Sequence, residues 1–463
     1  RIEARAGPHG WYDAEAPGAR PGDLYRWEID GDLLVPDPAS RFNPQGPHGP
    51  SQLVDPRAFA WEAGWRGRPW HEAVIHELHV GSYTPDGTYA AAEARLPALA
   101  GLGITAVQLM PLATFPGRYG WGYDGVLPYA PHPAYGTPDE LKHFVQAAHR
   151  LGLMVLLDVV YNHFGPDGNY LHRYAPPFFS DRHRTAWGDA MNFDGPGSDT
   201  VREFFIHNAL YWLHEYRFDG LRFDAVHAML DDSEPDIMAS LSQRVRAACP
   251  GRHVHLVLEN DSNDASRLAA PGTAGRFEGQ WNGDFHHALH VLLTGERDGY
   301  YAEYDQPVAQ LARCLTHGFA REGGPHNAEH ARPRQAARST LPLGTTVNFL
   351  QNHDQIGNRA FGERLLALAD PQAVQLAAAI LLLAPAPPLL FMGEEFGSTT
   401  PFLYFADWDG DLREAVREGR RREFAHFPRY AEAAARDELP DPCSQQTFAR
   451  CKLDWAQAAG SRA

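Results

Sequence analysis

Arg222 and Asp224 stand two positions apart in Gly220-Leu-Arg-Phe-Asp-Ala-Val-His227, just after a helix-forming stretch over 201–215. In an extended strand, residues i and i+2 point to the same face, so the guanidinium and the carboxyl would meet. An arginine a few ångströms away favours the charged aspartate and lowers its pKa by roughly 1–3 units, as a carboxylate nucleophile requires. Asp224 is therefore the candidate nucleophile; the plain alternative is a structural ion pair at a strand end. Glu259 closes the apolar run His255-Leu-Val-Leu258. A poorly solvated strand end would raise its pKa, which suits a general acid. One ionised and one protonated carboxyl are the split roles that glycoside hydrolysis uses. Asp354, in Phe349-Leu-Gln-Asn-His-Asp-Gln-Ile-Gly-Asn358, is a third acid. Next to His353 it could grip sugar hydroxyls more strongly as the ring flattens toward an oxocarbenium ion. The rival for His353, Asp354, Asp158 and His163 is a metal site. Each of these histidines is a lone ligand on its own segment and no H-E-x-x-H occurs, so neither metal nor cofactor is expected. His76 and His79 read as a strand-end packing pair.

Something must bring these residues together across hundreds of positions. Apolar strand-like runs alternate with helical periodicity: Ala73 to Leu78, Ala106 to Met110, Val155 to Val160, Gly220 to Asp224, Val254 to Glu259, Phe277 to Trp281, Thr345 to Leu350 and Pro388 to Met392. The intervening helical stretches are 89–102, 138–151, 201–215, 234–248, 285–293 and 371–383. Eight apolar strands alternating with these helices predict a (β/α)8 barrel, an α/β fold; a doubly wound open sheet is the rival. No G-x-G-x-x-G follows the first strand, so dinucleotide binding lacks support. The polar groups Asp158 to His163, Arg222 to His227, Glu259 to Asp261 and Asn352 to Asp354 all follow apolar runs, where a barrel gathers its catalytic residues.

The expected organisation is a partial N-terminal β-sandwich module over 1–69, a catalytic barrel over 70–400 with an inserted loop subdomain at about 164–200, and a helical or irregular C-terminal extension over 401–463, read as truncated. The last includes a charged helical segment over 413–435. A net charge of -17 argues against nucleic acid or an anionic membrane as partner. Eleven Trp, eighteen Tyr and 24 His suit sugar, which presents apolar C–H faces and hydroxyl edges, though large cores use the same rings. Four scattered cysteines imply no disulfide framework and favour a reducing cytoplasm.

In this order, Asp158-Val-Val-Tyr-Asn-His163, Gly220 to His227, Glu259 and Asn352-His-Asp354 resemble the four signature regions of the α-amylase superfamily, glycoside hydrolase family 13, across about 70–400. The resemblance implies Asp224 as nucleophile, Glu259 as general acid/base and Asp354 as transition-state stabiliser of a retaining reaction. It implies Arg222, His163 and His353 at the subsite of the cleaved glucose, with Tyr123 of Gly120-Trp-Gly-Tyr-Asp124 stacking there beside Asp124. Flanking residues, among them Ala225, Val226 and His227, Gln280-Trp-Asn-Gly-Asp-Phe-His-His287, and Gln355, Ile356, Gly357 and Asn358, resemble the trehalose-releasing branch, with Phe223 a further expected substrate contact. Its members cut the α-1,4 bond joining a maltooligosaccharide to a terminal trehalose. That resemblance implies substrate contacts from Trp281, Asn282, Asp284, Phe285, His286 and His287, the last four lining the leaving trehalose. Its alternatives are a 1,4-α-glucan branching enzyme and an inactive glucan-binding scaffold.

Overall fold

The computed structural model describes residues 1–268, 276–323, 335–336, 341–430, 432 and 436–460. Eight parallel strands close into a barrel: β1 Ile75–Leu78, β2 Ala106–Leu109, β3 Met154–Val159, β4 Gly220–Phe223, β5 His255–Leu258, β6 Gly279–Trp281, β7 Thr346–Phe349 and β8 Pro388–Phe391. They pair in chain order, and β8 closes on β1 through Leu389↔Ile75 and Phe391↔Glu77. Seven of the eight strands are buried at every position and β8 at all but one, which is why they read as continuous apolar runs. The open-sheet rival is excluded by this closure.

Alternation along each strand sorts the barrel into layers. Ile75, Ala106, Leu156, Val257, Val347 and Leu389 form one apolar cluster with Trp281 and Phe349. Two residues further along the same faces stand Glu77, Gln108, Asp158 and Glu259, so the period of two turns an apolar floor into a polar mouth. Gly220 starts β4 where nothing larger fits: a Cβ there would come within 2.3 Å of the His255 carbonyl oxygen and 2.7 Å of Leu156 Cδ2. The close approach seats Arg222, two residues on, against its neighbours.

Helices surround the barrel with boundaries set by local chemistry. Pro138–Arg150 opens on a reciprocal capping box between Thr137 and Glu140. Ile237–Ala248 begins three residues later than the periodicity suggests, because Asp236 accepts from Ala239 N–H and caps it. The single helix expected over 89–102 is two, Tyr89–Glu93 and Leu96–Leu102, the second with Pro97 in its first turn. Pro307–His317 is a further helix between β6 and β7.

Between β3 and Ser198–Glu215, the inserted segment forms a hairpin from Phe179–Thr185 and Gly188–Met191. The N-terminal part holds three two-stranded ladders: Arg5–Ala6 with Tyr12–Asp13, Leu24–Tyr25 with Ser51–Gln52, and Trp27–Ile29 with Leu33–Val35. The charged segment at 413–435 is helical over Gly410–Phe424; positions 431 and 433–435 lie outside the described residues. All four cysteines are free and buried. Among the described residues, no helix is long and apolar enough to cross a membrane.

The end of the barrel away from the mouth is closed by tryptophans that precede β1. Trp65 donates to Asp219 Oδ1 at 2.8 Å and stacks on His149, while Trp70 donates to the Gly344 carbonyl at 2.8 Å. Asp219, fully buried, also accepts from His149 Nε2 and Val155 N–H, both at 2.9 Å. One carboxylate thus ties the N-terminal segment to β3 and the start of β4. Asp219→Ala strands these donors, so we expect a loss of about 3–5 kcal/mol in stability, measured as a fall in the urea midpoint. An unchanged midpoint would show that Asp219 is not a clasp.

Candidate active site

Register places Arg222 beside Asp158, its Cα partner across β3 and β4, and beside Val257 on β5. From there a single buried guanidinium reaches three acids. Arg222 Nη1 lies 2.8 Å from both oxygens of Asp158 and 3.0 Å from Asp224 Oδ1. Its Nη2 lies 2.8 Å from Glu259 Oε2, an ion pair whose N–H is not aimed for a hydrogen bond. The guanidinium also sits 4.2 Å from the centre of the Trp281 ring. Cation–π contact and three carboxyls therefore share one charge.

The turn after β4 brings Asp224 and Glu259 to the same place. Ala225, a residue with a Cβ, has φ +40°, a strained conformation that costs about 1–3 kcal/mol. In it the Ala225 N–H donates to Glu259 Oε2 at 2.9 Å, and Val226 N–H donates to the Glu259 carbonyl. The strain is compensated by these bonds between the two carboxyl-bearing turns.

Electrostatics corrects the expectation for Asp224. Burial first, and then the neighbouring Glu259 charge, push its carboxyl well above the usual range; Arg222 opposes them and does not prevail because it is divided among three acids. Asp158 is likewise raised by burial, against the pull of Arg222, to about 6. Glu259 is not in the dry apolar place expected of it: its side chain is 20% exposed and accepts charged and main-chain contacts. The apolar residues of β5 lie below it, and the carboxyl extends past them.

Asp354 follows His353 at the start of His353–Gly357. Burial would raise its pKa, but His353 Nε2, 3.3 Å from Asp354 Oδ2, holds it below the ordinary value. Tyr123 stacks on the His353 ring, donates to Asp158 Oδ2 at 2.6 Å and lies 2.8 Å from His353 Nε2. Beside it, burial raises Asp124 to about 6. Of the four residues of the metal rival, Asp158 is engaged by Arg222 and Tyr123, and His353 by Glu77 and Asp354. Elsewhere His183, Asp194 and Asp232 bring three possible ligand atoms together, but Arg182 already spans the two carboxylates at 3.2 and 3.0 Å.

A cleft of about 450 Å³ opens beside the acids, lined by Glu259, Asp261, Asn263, Trp281, Asp284, His287, Asp354 and Gln355 among others. On the other side the hairpin carries Trp187, 51% exposed, stacked over His163 and 6.3 Å from His227. Burial lowers His163 to about 4, so it faces Trp187 as a neutral ring at neutral pH.

Not every expected contact residue reaches this space. Phe223 is fully buried against Phe277 and Tyr161, and Phe285 against Leu289 and Leu381, both on the outer side of the barrel strands. His286 is buried with one ring nitrogen on the Leu350 carbonyl and the other on Tyr301, leaving none for a sugar. Asn282 is also buried, its amide donating to Gly318 O and Asn348 and its oxygen capping Phe285 N–H. Ile356 and Gly357 pack inward; a Cβ on Gly357 would lie 2.0 Å from Trp121. Val226 and Ala225 are buried beside the acids, and Asn358 braces Asp354 at 3.3 Å. Asp284 does line the cleft, but Asn263, Tyr304 and the main chain at 320 and 321 all donate to its carboxyl.

Three residues at the mouth escape the sequence expectations for the site. Asp158 was visible only as a possible ligand, Trp187 had no periodic signal in its loop, and Glu77 was hidden between two histidines. Those histidines do pack, each against its own partner: His76 on Glu395, and His79 capping Ser82 while facing Gly120 O and Tyr135.

Fold and site together define a glycoside hydrolase of the α-amylase class. Residues 63–183 match the family profile described as alpha amylase, catalytic domain. The malto-oligosyltrehalose trehalohydrolase of Deinococcus radiodurans is 44% identical over 455 residues, covering 97% of this chain and 73% of the relative. That of Saccharolobus solfataricus is 40% identical over 452 residues, covering 96% and 76%. The crystal structure of a Salmonella typhimurium protein assigned as an alpha amylase superposes with a TM-score of 0.92 at 45% identity, covering 99% of this chain and 79% of that one. The chain belongs to the malto-oligosyltrehalose trehalohydrolase family.

Arg222→Lys replaces a planar fork with a point charge that cannot contact all three carboxyls. We expect a loss of about 3–5 kcal/mol in stability, from buried acids left without a partner, and a fall of about 10³-fold or more in activity. Denaturation curves with initial rates measure both. Near-normal rates in the variant would mean that the shared guanidinium is dispensable.

Proposed function

We propose that the chain hydrolyses the α-1,4 bond next to the terminal trehalose of a maltooligosyltrehalose, releasing trehalose and a shortened maltooligosaccharide. Family membership supports the substrate, and the shared contact of Arg222 with Asp158, Asp224 and Glu259 carries the chemistry. In this reading an Asp224 oxygen attacks the anomeric carbon while Glu259 protonates the departing glycosidic oxygen, so that trehalose leaves and a β-glucosyl ester forms. Glu259 then takes a proton from water, which attacks the same carbon and frees Asp224 with net retention. Burial and the Glu259 charge raise Asp224, so a proton is held more firmly among these acids than on a free carboxyl. Moving that proton to Glu259 yields the ionised nucleophile and protonated donor that the first step needs.

Asp354, held ionised beside His353, is placed in this reading against the hydroxyls of the cleaved glucose, with Tyr123 as the stacking face. His163, under Trp187, borders the same ring, and the cleft past Glu259, with Trp281, Asp284, His287 and Gln355, receives the trehalose. Related α-1,4-glucans would bind less fully for want of the terminal disaccharide.

Incubation with maltopentaosyl-trehalose should yield trehalose by chromatography. Glucose or maltose instead, or chain transfer with few new reducing ends, would refute the substrate assignment. Asp224→Asn nearly preserves shape and removes the nucleophilic charge, so only a trace of activity should remain; substantial activity would assign the nucleophile elsewhere. The pH dependence follows from the raised acids. Asp158 pairs with Arg222 as a carboxylate and holds its proton up to about 6, so kcat/KM should rise with pH through about 6 rather than about 4. An acid limb near 4 would contradict this.

A further inference from the structure

Glu77 stands at the third position of β1, fully buried, in the layer that carries Asp158 on β3. Its two oxygens both serve His353, 276 positions away. Oε1 lies 2.7 Å from His353 Nδ1, and Oε2 accepts the His353 main-chain N–H at 3.2 Å. The same carboxyl therefore fixes the turn that starts the Asp354 segment and the orientation of the ring.

The other ring nitrogen faces acceptors as well. Tyr123 gives its hydroxyl proton to Asp158, which is doubly engaged by Arg222, so the Tyr123 oxygen presents a lone pair to His353 Nε2 at 2.8 Å. Asp354 Oδ2 is 3.3 Å from the same nitrogen. A hydrogen bond at each nitrogen then requires a proton on each, because neither the carboxylates nor that lone pair can donate.

We propose that Glu77 is a positioning residue for the reaction, holding His353 as a doubly protonated imidazolium whose Nε2–H is presented at the mouth beside Asp354. The groups facing His353 agree in sign. Glu77 comes from β1, Asp158 from β3 and Asp354 from its own helix, while the cation Arg222 comes from β4 and is neutralised by its acids. Tyr123 covers one face, and Trp121 and Trp281 pack against the ring. His79, after β1, is buried and held neutral by a pKa lowered to about 3. Burial opposes a charge on His353, but Asp354 and then Glu77 outweigh it and keep its pKa well above the ordinary value. Without Glu77, burial would face one fewer carboxylate, and the ring would lose its proton as pH rises through the ordinary histidine range of about 6.5 or below.

The role makes Glu77 a determinant of charge at the subsite where positive charge develops on the sugar. An imidazolium there restrains Asp354 and the Tyr123 hydroxyl, so the acid meets the substrate in one orientation. The kinetic part of the inference rests on the trehalose-releasing reading; the protonation state does not.

Two measurements test it. In the wild-type protein, ¹⁵N-histidine NMR at pH 8 should show both ring nitrogens of His353 protonated, the signal being assigned by its loss in His353→Gln. In Glu77→Gln, kcat for trehalose release should fall about 10- to 100-fold, with a decline between pH 6 and 8 that the wild type lacks. Glu77→Asp, which restores the charge, should recover the wild-type pH profile. A neutral His353 in the wild type overturns the proposal, as does a folded Glu77→Gln with the wild-type profile or with a loss equal at every pH. Should circular dichroism show Glu77→Gln unfolded, the wild-type spectrum alone decides. A wild-type protein that releases no trehalose refutes the proposed reaction and leaves the NMR result standing.

Discussion

One guanidinium shared by three carboxyls is the constraint on which the mouth depends. Arg222 is fully buried, and each of its acids comes from a different place: Asp158 from β3, Asp224 from the turn after β4, Glu259 from the end of β5. Bringing that many like charges together in a poorly solvated space is unfavourable, and a single positive charge offsets only part of it. The remainder appears in two acids, Asp158 and Asp224, held above their ordinary pKa. The proposed double displacement calls for a proton to move within such a cluster.

Support for that cluster is distributed around it. Trp281 lies beneath the guanidinium, the Gly220 close approach sets β4 against β3 and β5, and the strained Ala225 turn links the two carboxyl-bearing loops. Across the mouth a second relay runs from Glu77 through His353 and Tyr123 to Asp158. The two relays meet at Asp158, so a buried residue with no room to touch a sugar controls the geometry on both sides.

Much of this was legible from residue spacing. The eight apolar runs define the barrel because parallel strands covered on both faces leave no polar alternation to confuse them. The i, i+2 relation of Arg222 and Asp224 survives folding as a 3.0 Å contact. The same parity also points to Glu77, two residues after Ile75, as Asp158 follows Leu156 and Glu259 follows Val257; neighbouring histidines masked it. Phe285, His286 and Asn282 went the other way. They share a stretch with Trp281 and Asp284, but successive residues of a strand end and helix start point in different directions, and only some reach the cleft.

The succession of barrel strands, the candidate acids Asp224, Glu259 and Asp354, and the resemblance to the family were legible in the sequence alone, because each rests on local periodicity or on motifs within a few residues. Charge state, and the assignment of particular side chains to cleft, core or brace, were decided only by tertiary structure. A carboxyl's pKa depends on every charge and every dry surface near it, and at this mouth those come from strands far apart in the chain. Spacing could join Arg222 to Asp224; only the closed barrel could make that arginine serve two further acids as well.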